Sequence, residues 1–133
     1  APFDADQMHE AFLTWYAARH DDVPAETTVA AGTVLCEWGP HECLDERSFY
    51  ACSPHRIEMA AHLTRKGYVS DDAKEALRLL PEWTQWCIEQ SGLGGTAADL
   101  SREAARLAAS TLVEDEDGRP ALTDDEAPFR RQE

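Results

Sequence analysis

Apolar residues recur along this chain at the three- and four-residue steps of an α-helix far more often than at the two-residue step of a strand. Met8, Ala11, Phe12, Trp15 and Tyr16 make the first such stripe. Asp4 with Gln7 supplies a capping pair ahead of it, so a first helix is predicted from about Asp4 to His20, stopped by Asp21 and Asp22. Pro24 suits the first turn of a second helix, whose inner face would hold Val29, Gly32, Thr33 and Cys36 as far as Gly39-Pro40. A strand competes here, because Thr27, Thr28, Val29, Thr33 and Val34 are β-branched. Helix is preferred, since no partner strand is evident; any sheet would be a short hairpin around residues 27 to 36.

From Gly39 to Ser53 the pattern lapses, with Leu44, Phe49 and Tyr50 placed to pin an irregular segment to the core. Ser53-Pro54 then opens a helix, the hydroxyl capping and the proline in the first turn. Ile57, Ala60, Ala61 and Thr64 give its inner side and Gly67 its end. Ser70 or Asp71 caps the next helix, carried by Ala73, Ala76, Leu77, Leu80, Thr84, Cys87 and Ile88. Pro81 is expected to break or kink it near Leu80, because a proline ring clashes with the preceding turn. After Gly92, Gly94 and Gly95, Thr96 or Asp99 caps a last helix with Leu100, Ala104, Leu107 and Thr111 inward. The fold expected is all-α: five or six helices in one irregular bundle over residues 1–112. Residues 113–133, with eight acidic groups against three Arg, form an acidic extension docked on it.

Composition narrows the class. At 133 residues, 43% of them hydrophobic and with four Trp and four Phe, the chain is large and apolar enough to bury one core. Its formal charge of −14 argues against direct binding to nucleic acid or to an anionic membrane surface. No apolar run is long enough to cross a bilayer, and no basic segment leads into an apolar run at the start, so the location expected is cytoplasmic. Ten Arg against two Lys suggest coding from a high-GC genome.

The stretch from Ser53 to Cys87 has a recognisable rhythm: Ser-Pro, a helix ending in Arg65-Lys66, an acidic capping turn, Leu80-Pro81 and a Trp-containing helix. With the aromatic-rich first helix, it resembles small all-helical proteins of high-GC Gram-positive (actinobacterial) bacteria. That resemblance implies a helical fold and a bacterial origin, and carries no activity with it.

Candidate chemistry is sparse. Cys36, Cys43, Cys52 and His55 follow one another with gaps of six, eight and two residues, and His41 lies between the first pair. Four soft or borderline ligands suit a structural zinc, which would staple the irregular segment, with His41 as the reserve ligand. The spacing is not that of a known zinc finger, and the plainer reading makes these small buried or surface side chains without a cofactor. His55, Glu58 and His62 lie on neighbouring turns of one helix and are the only candidates for a small catalytic pocket. Arg65-Lys66 with Arg56 behind them form a basic patch, explained locally by the helix dipole. Trp83 and Trp86 cannot both face one stripe, because three residues turn a helix through about 300°; with Trp38 they could reach the bundle's edge as a protein-binding face, while the plainer reading makes all four Trp core residues of a small domain. The function expected is therefore non-enzymatic: regulation through another protein or through self-association.

Overall fold

The computed structural model describes residues 3–110, 113–114 and 120–121. Six α-helices follow one another: α1 (Ala5–His20), α2 (Ala25–Glu37), α3 (Glu46–Tyr50), α4 (Pro54–Gly67), α5 (Ser70–Ser91) and α6 (Gly95–Ser110). A 3-10 turn, Pro40–Glu42, links α2 to α3. β1 (Val113–Glu114) and β2 (Pro120–Ala121) pair antiparallel, and β2 lies against α5. The all-α bundle read from periodicity is the fold observed, and residues 27 to 36 are helix rather than hairpin. Most of the acidic extension, and Thr111, lie outside the described residues.

Local signals set most boundaries. Asp4 caps α1, its carboxylate accepting from the Asp6 amide at 2.9 Å rather than working through Gln7. Ser53 Oγ accepts from the Arg56 amide at 3.1 Å, with Pro54 in the first turn of α4. Three expected helix starts fail, among them that of α6, which begins at Gly95 and so holds Thr96 and Asp99 inside it. Pro24 stands just before α2 instead of inside it, and α5 begins after Val69 with no side-chain cap. Nor does Pro81 end a helix, for α5 runs unbroken from Ser70 to Ser91. A proline forfeits one backbone hydrogen bond, and burial of Leu77, Leu79, Leu80, Trp83 and Trp86 around it offsets that loss.

α5 is the axis of the bundle: α6, α2, α4, α3 and α1 all pack on it. The stripe read for it from Ala73 to Ile88 is buried throughout. Its indoles meet Phe12 of α1 and Phe49 of α3, with ring centres 4.9 Å apart for Phe12–Trp83 and 5.9 Å for Phe49–Trp86. α2 and α6 present different faces from those expected. α2 buries Ala30, Ala31, Val34 and Leu35, leaving Val29 65% exposed and Cys36 at the surface. α6 buries Ala98, Ser101, Ala105 and Ala108, while Leu100 faces outward. Alanines make up half or more of each buried face, with Val34 and Leu35 completing that of α2.

Candidate functional site

The irregular stretch after α2 is built around a single guanidinium. α2 ends at Trp38, whose amide bonds to Val34 O at 2.8 Å, and Gly39 turns the chain with φ at +80°. Only glycine adopts that conformation without steric cost. The chain then makes the 3-10 turn, and Asp45 caps α3 by accepting from Ser48 N at 2.8 Å. Serine's hydrogen bonds hold the Asp45 carboxyl below its ordinary range.

These short elements leave helix-end carbonyls without intrahelical donors. Arg56, in the first turn of α4, supplies them. Its Nη1 donates to Ser48 O at 2.9 Å, Phe49 O at 2.9 Å and Ala51 O at 2.6 Å, and its Nη2 to Trp38 O at 2.8 Å. The guanidinium carbon lies 4.3 Å from the centre of the Trp38 ring, a cation–π arrangement. Trp38 Nε1 closes the knot by donating to Phe49 O at 2.7 Å. One planar fork therefore ties the ends of α2 and α3 to the start of α4. From sequence, the zinc alternative is the staple on offer for this segment, beside the plainer reading without a cofactor.

Beside this knot lies an open cleft of about 650 Å³ between the end of α2, the 3-10 turn and α4. Trp38 and Arg56 make its floor, and Cys36, Glu37, His41, Glu42 and Cys43 one wall. The opposite wall is the α4 stripe of His55, Met59 and Leu63. Its accessible lining is more apolar than polar, and Leu63 is 41% exposed. Cys43 Sγ donates to Gly39 O at 3.4 Å and accepts from Arg56 Nη2 at 3.6 Å.

Three of the four expected zinc ligands, with the reserve His41, thus line one cleft, but Cys52 does not. It stands just before the Ser53 cap and packs inward against the core. Burial pushes its thiol pKa up, opposed by the Ser101 hydroxyl and the charge of Arg56. Cys87 is fully buried on α5, and burial, then Cys52, raise its thiol much further. Among the described residues no three His, Cys, Asp or Glu side chains gather as a metal-holding group. The Cys36–Cys43–Cys52–His55 set is therefore not assembled.

The catalytic candidates separate in a similar way. His55 is on the cleft, Glu58 is exposed outside its lining, and the half-buried His62 falls beyond its edge. The aromatic candidates are corrected outright: Trp38, Trp83 and Trp86 are 2%, 0% and 1% exposed and form core. The rotation argument failed because aromatic rings from α1, α2 and α3 surround α5, so two of its faces are inner faces. The basic patch dissolves as well, since Arg65 is buried and donates to Ala108 O at 3.1 Å. What the sequence reading missed is the work of Arg56 and the Met59–Leu63 stripe. A signal existed: a long-reaching donor in a first helical turn, directly after a segment full of short helix ends.

No protein-family model, curated protein or solved structure matches this chain. No helix among the described residues is long and apolar enough to cross a membrane.

Proposed function

We propose that this chain is a non-enzymatic protein-binding domain and that the cleft beside Arg56 is its docking surface. The observation that carries the reading is the cleft itself. It is open and predominantly apolar, with Leu63 at 41% exposure on one wall. Apolar side chains in a rigid concavity are what a partner's anchor residue fills. Rigidity comes from Arg56, which holds the cleft's floor and the segment behind it through four backbone carbonyls. Leu44, next in the chain to Cys43, is 91% exposed and adds apolar surface nearby. The expected docking role is kept, and its location moves from the indoles of α5 to α4. The partner in this reading is a cytoplasmic protein or a second copy of the chain, with nucleic acid disfavoured by the charge of −14.

A photo-crosslinking amino acid at position 63 tests the proposal in the cells the protein comes from, with position 103 on α6 as control. The expected result is a discrete adduct from position 63 that position 103 does not give. Equal adducts from both positions, or none, would overturn it.

A further inference from the structure

We infer that the partner segment entering this cleft is basic, with lysine or arginine flanking one aliphatic or aromatic anchor. This rests on the docking reading above and adds the chemistry of the occupant. The charges lining the cleft are Glu37, Glu42 and Arg56. Arg56 is the one cation among them, and its guanidinium is engaged with Trp38 O, Ser48 O, Phe49 O and Ala51 O and with the Trp38 ring. An incoming anion would have to pull that fork from the carbonyls it caps. The two carboxylates are differently placed. Glu42 is exposed, and Glu37 accepts from the neutral Tyr68 hydroxyl at 3.1 Å. Among the described residues neither forms an ion pair, and two carboxylates against one engaged guanidinium leave the lining net negative.

The rest of the molecule acts in the same direction, because a net charge of −14 attracts a cationic segment and repels an acidic one before contact. Between the carboxylates and the α4 stripe the floor is the Trp38 ring with the engaged Arg56 guanidinium over it. Met59 and Leu63 receive the anchor, and Glu37 and Glu42 receive its flanking charges. Hydrophobic contact supplies most of the affinity, while the carboxylates supply encounter rate and selection against acidic sequences.

The test is a random peptide library displayed on phage and selected on the intact protein. Enriched peptides are then measured against the protein, its Leu63→Gln variant and its Glu37→Gln/Glu42→Gln double variant, at low and high salt. Gln at position 37 keeps an acceptor for Tyr68, and position 63 is exposed, so both variants are expected to fold; circular dichroism checks this. The expected peptides carry Lys or Arg on either side of an apolar residue and lose about tenfold in affinity with Leu63→Gln. They also weaken severalfold in the double variant, and more salt diminishes that difference. Peptides that depend on Leu63 but lack basic residues and ignore the double variant would overturn this inference and leave the docking reading standing. A selection that yields nothing distinguishing the protein from Leu63→Gln would overturn both.

Discussion

Arg56 shows how much of a small site can hang on one side chain. Its fork reaches carbonyls at the ends of two helices, α2 and α3, and both ends would lose a charged donor if the residue were removed. Arg56→Ala is expected to lower the unfolding free energy by about 2–4 kcal/mol, since bonds to charged donors contribute about 1.5–3 kcal/mol each and the exposed carbonyls recover water. Arg56→Lys should restore less than half of that, because an ammonium has neither the planar fork nor the same stacking on an indole. Urea titration reads both as a fall in midpoint at unchanged slope. A change within about 0.5 kcal/mol would show that the knot is ornamental. At this scale the sequence was legible where a rule is local. Ser53-Pro54 announced α4 because cap and proline act within one turn. Arg56 was not legible, because its partners lie up to eighteen residues away and are backbone atoms, which look alike in any sequence.

Elements were legible in kind and less so in orientation. α1, α4 and α5 bury the faces that periodicity points inward, with Phe12, Ile57 and Leu77 among their fully buried side chains. α2 buries Ala30 and Ala31 beside Val34 and Leu35, and α6 buries Ala98, Ala105 and Ala108, so alanines, whose apolar signal is weak, mark much of both inner faces. Two glycines expose the backbone side of the same problem. Gly32 is an interior residue of α2, and a methyl group there would meet His9 Nε2 at 3.9 Å, an ordinary contact. Gly32→Ala is thus expected to stabilise by about 0.5–1 kcal/mol by removing chain entropy from the unfolded state. Gly92 ends α5 with φ at +72°. Gly92→Ala should destabilise by about 1–2 kcal/mol even though nothing crowds the position, because a left-handed conformation costs a Cβ-bearing residue that much. Thermal unfolding of the two variants should shift in opposite directions. A shift of the same sign in both would refute this account of the two helices.

For the molecule as a whole, ionisable groups set a window of stability. Asp45, Glu89 and Glu103 have carboxyls held below the ordinary range, by the Ser48 hydrogen bonds, by Gln85 and Trp15, and by Arg106 respectively. A lowered folded-state value contributes stability above the unfolded value, and that contribution is lost as pH falls through the folded one. On the alkaline side, burial first and then Glu46 push Tyr50 from 10.0 to about 12; burial and then Glu37 push Tyr68 to about 12. The unfolded chain loses these protons earlier, so stability declines as pH rises from 10.0 and levels off near 12. Burial raises Cys52 and Cys87 above 9.0 in the same sense. Urea midpoints should therefore be flat between the carboxylate range and about pH 9 and fall on both sides. Phenolate absorbance should show two tyrosines titrating near 12; ordinary titration of all three tyrosines would contradict it.

The sealed aromatic cluster has one more consequence, an optical one. Trp83 and Trp86 stand 5.1 Å apart at 70°, and Trp38 stands 6.2 Å from Trp83 with the Arg56 guanidinium carbon 4.3 Å from its ring centre. Indoles at such separations share excitation, so light absorbed anywhere in the cluster can emerge as emission from Trp38. A cation over that ring tunes its colour and yield. Any occupant that shifts Arg56 by a fraction of an ångström would change the intrinsic fluorescence of the whole chain, and the protein would signal its own occupancy without a dye.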